Sequence, residues 1–122
     1  MKAISLTPVL WTESLQATLN FYITHLNFTC IERKEEWGWA CMSNGAVEVM
    51  LSVPNEHMKF ERSAFTGSFY FKIENADELY ESLKEKVKVV YPIENFEWGM
   101  REFAIFDNNG YILQFGESIT TN

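Results

Sequence analysis

Few side chains in this sequence are equipped for covalent or proton-transfer chemistry. The two cysteines, Cys30 and Cys41, form no CxxC pair, and neither is flanked by a basic residue that would lower its pKa. Both read as reduced, buried thiols. His25 ends a helical stripe, where a cation gains from the helix dipole, and His57 falls in a polar stretch as a solvated side chain. Glu48, in a predicted strand, has three open roles: a polar contact to a ligand, a structural hydrogen bond, or the lone general base of a metal-free reaction. No glycine-rich phosphate loop, serine elbow or HExxH run occurs.

Aromatic rings are abundant instead, at 16% of the residues. Trp37, Trp39 and Cys41 alternate with Gly38, Ala40 and Met42, so a strand here displays indoles on one face, toward a ligand, the core or a dimer contact. Trp98 precedes Gly99, a flexible point ahead of another strand. Ser68, Tyr70 and Lys72 share one face, with Phe69, Phe71 and Ile73 left for a helix; the Tyr70 hydroxyl is then a candidate donor in a cavity. Further along, Arg101, Phe103 and Ile105 are the cavity candidates if Ala104 and Phe106 pack under the helix. Phe60 and Phe65 either close over a ligand or anchor the segment that carries them.

The elements that must position these groups follow from periodicity. Ile4 to Trp11 reads as a strand, and Thr12-Glu13-Ser14 as a helix cap. Leu15, Leu19, Tyr22 and Leu26 form one helical stripe. Phe28 to Arg33, Trp37 to Ser43 and Val47 to Val53 are short strands, the last two joined at Asn44-Gly45, a strong hairpin signal. The same order then repeats. Ser68 to Ile73 is a strand, Glu74-Asn75-Ala76-Asp77 opens a helix with the stripe Leu79, Leu83 and Val87, and Val87 to Tyr91 is a strand ended by Pro92. Arg101 to Asp107 and Tyr111 to Gly116 make a hairpin. The expectation is one α+β domain of two βαβββ modules, 1–53 and 67–117, joined by a linker at 54–66. Each helix covers one sheet face, and the two units, or two chains, enclose a cavity with the other.

Composition bounds the partners. With 122 residues, 47% of them apolar, a single globular domain is expected. A net charge of −7 repels phosphate backbones and anionic lipid, which argues against nucleic acid and membranes, and draws in cations. The short, interrupted apolar run before Trp11 reads as too short for a signal peptide, and no later run approaches ~18 residues; a cytoplasmic location is expected.

Two runs carry a family resemblance that extends from about Ile4 to Glu117. Pro8-Val9-Leu10, Ser14-Leu15 and Asn20-Phe21-Tyr22 resemble the opening of vicinal-oxygen-chelate proteins, the superfamily of glyoxalases, bleomycin-resistance proteins and dioxygenases. Trp98-Gly99-Met100-Arg101-Glu102-Phe103-Ala104 and Phe106-Asp107-Asn108-Asn109-Gly110 resemble the signature of its bleomycin-resistance branch, with Asn108 where proline is usual and Tyr111 where asparagine is frequent. The resemblance implies a homodimer that sequesters a drug, without reaction, in clefts formed with the partner chain, and places Trp98 in the cleft. With the residues singled out by strand alternation and chemistry, the ligand-binding candidates are Trp39, Glu48, Tyr70, Trp98, Arg101 and Phe103.

The metal-dependent relatives place ligands at positions that fall here on Thr7, Glu48, Ser68 and Gln114. Only Glu48 is a firm ligand, whereas a catalytic site normally uses about three. No metal or other cofactor is therefore expected. The ligand is expected to be a small aromatic or cationic molecule, a bleomycin-type glycopeptide being the specific candidate. The rival is a glyoxalase- or dioxygenase-like enzyme of the same fold, a lyase or isomerase; a third reading is a binding protein for some other metabolite.

Overall fold

In each half of the chain the apolar spacing resolves into a strand, a helix and three further strands. The structure, a computed structural model, describes residues 1–54 and 60–119; His57 lies outside the described residues. The chain divides into two compact units, Met1–Ser63 and Ala64–Asn122. Each holds one four-stranded mixed sheet, giving an α+β fold of two βαβββ modules.

Unit one runs β1 (Val9–Trp11), α1 (Leu15–Leu26), β2 (Thr29–Lys34), a 3-10 turn (Glu35–Trp37), β3 (Trp39–Asn44) and β4 (Val47–Ser52). The sheet order is β1-β4-β3-β2, with β1 parallel to β4 and the other pairs antiparallel. Helix α1 starts where Ser14 Oγ accepts from Ala17 N at 3.1 Å, the bond that satisfies an orphan donor of the first turn. It stops at Asn27, which adopts the left-handed conformation at φ 56°. Asn44 Nδ2 donates to the Leu26 carbonyl at 3.1 Å, tying that end to the sheet. Leu15, Leu19, Tyr22 and Leu26 are buried as one stripe, and Leu10, Ala40, Met42, Val49 and Leu51 form the buried sheet face. The expected first strand is shortened: Ile4 and Leu6 are exposed and outside any strand. The charged turn takes Trp37 into the 3-10 segment, so β3 begins at Trp39.

Unit two runs β5 (Phe69–Lys72), α2 (Ala76–Leu83), β6 (Val89–Asn95), β7 (Met100–Phe106) and β8 (Ile112–Ser118), in sheet order β5-β8-β7-β6. The N-terminus of α2 is capped from the sheet. Glu117 of β8 accepts from Asn75 N at 2.9 Å and from Ala76 N at 3.1 Å, placing a carboxylate at the positive end of the helix dipole. The helix ends at Leu83, so Val87 lies beyond it rather than on its stripe. Strand β6 also departs from expectation, since it continues through Pro92. It is an edge strand whose register shifts between Tyr91 and Glu94, the setting in which a missing N–H is tolerated. Under α2, Tyr80 meets Phe103 edge-on at 5.1 Å, and Phe115 stacks with both Phe103 (5.3 Å) and Phe71 (5.2 Å). No described helix is long and apolar enough to cross a membrane.

Candidate functional site

Strand parity decides which side chains leave the core of unit two. Phe103 is fully buried beneath α2, so its neighbours Glu102 and Ala104 face the opposite side of the sheet. The register pairs Glu102 with Gly116, Ala104 with Gln114, and Tyr70 with Gln114. Ser68, Tyr70, Glu102 and Gln114 therefore meet on the face turned away from α2.

Glu102 is the hub of that face. Its Oε1 accepts from Tyr70 Oη at 3.0 Å and from Trp98 Nε1 at 2.9 Å. Its Oε2 accepts from Tyr91 Oη at 2.6 Å and from Gln114 Nε2 at 3.4 Å. Gln114 Nε2 also donates to Tyr91 Oη at 2.8 Å, and Ser68 Oγ donates to Gln114 Oε1. At 1% exposure Glu102 is nearly withdrawn from water. Burial alone would raise its pKa; hydrogen bonds from Tyr91, Trp98, Tyr70 and Gln114 outweigh this and hold the carboxyl below its ordinary range. Burial, with the bond to Glu102, pushes the Tyr70 phenol up to about 12. Burial also takes Tyr91 to about 12, with Gln114 opposing the rise and Glu102 adding to it.

Two backbone features make this network accessible to the chain. Trp98 sits in the turn between β6 and β7, where Gly99 N donates to the Phe96 carbonyl at 3.1 Å and Gly99 adopts φ 84°, a conformation that disfavours any side chain. The turn stacks Trp98 on Phe96 at 4.7 Å with the rings 16° apart. Trp98 still keeps 61% of its surface exposed. Tyr70 reaches Glu102 across β8 only because position 116 lacks a side chain: a Cβ there would fall 2.7 Å from Tyr70 Cζ and closer still to its hydroxyl.

The six sequence-predicted residues separate into three placements. Tyr70 and Trp98 converge on Glu102. Arg101 and Phe103 lie on the other side of the sheet, which corrects the face expected for them and for Ile105. Arg101 makes a forked ion pair with Asp77 of α2 at 2.8 and 2.9 Å, while Phe103 and Ile105 are core. Trp39 and Glu48 belong to unit one, on the sheet face opposite Ala40 and Met42. Cys41 lies between them there and donates to Glu48 Oε1 at 3.3 Å. Burial, with the Glu48 carboxylate beside it, pushes this thiol up to about 11, the opposite of an activated nucleophile. Trp37 is 66% exposed beside Lys34, whose ammonium lies 5.9 Å from the ring centroid. Phe65 stacks on Phe69 at 4.6 Å.

Sequence reasoning missed Glu102 and Tyr91. A signal existed for Glu102: a carboxylate next to the apolar run Phe103-Ala104-Ile105-Phe106 of β7 needs hydrogen-bonding partners once that strand is buried. As a metal site the residues fit poorly. Ser68 and Gln114 use their polar atoms on each other, on Tyr91 and on Glu102, and no group of three His, Cys, Asp or Glu side chains suited to a metal occurs among the described residues.

A mixed sheet of order 1-4-3-2 with one helix, present twice, defines a protein of the vicinal-oxygen-chelate class. The family model for the Glyoxalase/Bleomycin resistance protein/Dioxygenase superfamily matches residues 5–115, and the chain belongs to that superfamily. Comparison with curated protein sequences gave no match. Among solved structures, a superfamily member from Sphaerobacter thermophilus DSM 20745 is similar with a TM-score of 0.81 at 19% identity, covering 96% of this chain and 98% of that one. A glyoxalase/bleomycin resistance protein/dioxygenase from Nocardioides gives 0.79 at 19% identity, with coverages of 100% and 87%. TioX from Micromonospora sp. ML1 gives 0.75 at 15%, with 96% and 100%. At such identities the likeness is one of fold.

Proposed function

We propose that this protein is a metal-free homodimer that binds a small aromatic or cationic molecule without transforming it, on the Trp98 face of unit two. The observation that carries the reading is Trp98 itself. Its ring is held by Glu102 at 2.9 Å and by Phe96 at 4.7 Å, yet it is 61% exposed. A large apolar ring fixed in place with a free face is preorganised for stacking, so little ordering entropy is lost on binding. Glycopeptide antibiotics of the bleomycin type are the specific candidates, supported by the superfamily and by the charge of −7.

The enzyme reading has less support. A general acid or base works best with a pKa near the working pH, whereas Tyr70 and Tyr91 are pushed to about 12 and Glu102 is lowered. Glu48 already accepts from a thiol. The test is calorimetric titration of wild type, Trp98→Ala and Trp39→Ala with metal-free and copper-loaded bleomycin. Trp98→Ala is expected to lose roughly tenfold or more in affinity, a larger effect than the fall in stability from removing one of the four donors to Glu102. Unfolding of Trp98→Ala, together with unaltered affinity in Trp98→Phe, would make Trp98 structural.

A further inference from the structure

We propose that Glu102 is the specificity-determining residue of the Trp98 face, selecting a planar, delocalised cation that carries no N–H donors, of the N-alkylated heteroaromatic kind. This rests on Trp98 as a stacking ring and adds a charge requirement to it.

The Glu102 carboxylate is saturated with donors. A carboxylate offers about four acceptor positions, and Glu102 receives four donors, all of them neutral. It takes part in none of the ion pairs among the described residues. Its negative charge is thus stabilised by dipoles but not neutralised, and at 1% exposure water screens it little. Two of the four donors, Trp98 and Tyr70, also present ring surface, being 61% and 43% exposed. An N–H or O–H pointed at an anion leaves the ring more electron-rich, and the ring face is the side that attracts a cation.

Saturation also sets the kind of cation. An ammonium or guanidinium arriving here gives up water hydrogen bonds and finds the carboxylate oxygens already taken, which is costly. A delocalised cation without N–H groups loses weaker hydration. It gains stacking, the ring's attraction and the unneutralised field together. The other carboxylate–ring combination, Glu48 with Trp39, lacks this arrangement, because Glu48 takes its hydrogen bond from the Cys41 thiol.

The experiment titrates the full chain with three dyes of one shape in mildly alkaline buffer: N-methylacridinium, neutral acridine, and proflavine, whose amino groups carry N–H donors. Wild type should bind N-methylacridinium at least about tenfold more tightly than acridine, and more tightly than proflavine. Glu102→Gln should abolish the preference, so that this variant binds N-methylacridinium and acridine with equal affinity. Equal affinities for the first two dyes in wild type, or a preference that survives Glu102→Gln, overturns the proposal; tighter binding of proflavine overturns its donor-free clause. If Glu102→Gln does not fold, the wild-type ratios decide. Trp98→Ala separates the two ideas: loss of binding by both dyes without a charge preference removes only the role of Glu102, whereas no loss removes the stacking reading beneath it.

Discussion

Glu102 shows how one buried charge is held. Removing water from a carboxylate is costly unless hydrogen bonds replace it, and here two phenols, an indole and an amide do so. Truncation would leave those donors facing each other in a dry site. Glu102→Ala is therefore expected to cost about 3 kcal/mol or more, measured by urea unfolding; a loss below about 1 kcal/mol would mean the network contributes little. The pH dependence has a definite sign. Because the folded pKa lies below the unfolded one, the unfolded chain binds the proton more tightly, so stability rises with pH across that interval. The contribution of Glu102 is complete above the ordinary glutamate value of about 4.3 and disappears as pH falls through its lower folded pKa. Acid unfolding of Glu102→Gln should show a shallower slope in that window than wild type. Identical slopes would contradict the assignment.

At the scale of elements, the site depends on a glycine in one strand meeting a tyrosine from the next. Gly116→Ala places a methyl group where the Tyr70 ring passes, and is expected to destabilise by about 1–3 kcal/mol. It should also release Tyr70 from Glu102, which NMR of labelled tyrosine would register as a fall of that phenol's pKa from about 12. An unshifted Tyr70 signal would show that the sheet accommodates the methyl group with the bond intact. These elements were partly legible in the residues. Helix α1 followed from its stripe and Ser14, and the β3–β4 hairpin from Asn44-Gly45. The face of β7 was not legible, because both of its parities carry apolar residues: Phe103 and Ile105 on one side, Ala104 and Phe106 on the other. Alternation says which residues share a face, and only the partner layer says which face that is. Pro92 misled for a related reason, since a proline ends a central strand but not an edge one. The cap of α2 lies in Glu117, forty-one residues beyond Ala76, and no local signal reports it.

For the whole molecule, a superfamily fold carries the proposed Trp98 face, on which Tyr70 and Tyr91 are pushed up to about 12 and Glu102 is lowered. A homodimer is proposed, to be checked by light scattering at micromolar concentration; a monomer would remove that part. Chelator treatment should leave the melting temperature unchanged, and about one equivalent of zinc, nickel, manganese or iron per chain would count against binding alone. The most direct measurement is calorimetric titration with copper-loaded bleomycin and the dyes, followed by mass spectrometry of the ligand recovered from a prolonged incubation. The account predicts saturable binding by at least one of these ligands, near one equivalent per chain, with the ligand recovered at unaltered mass. Catalytic conversion of the bound ligand, or the absence of binding by every one of them, would contradict it.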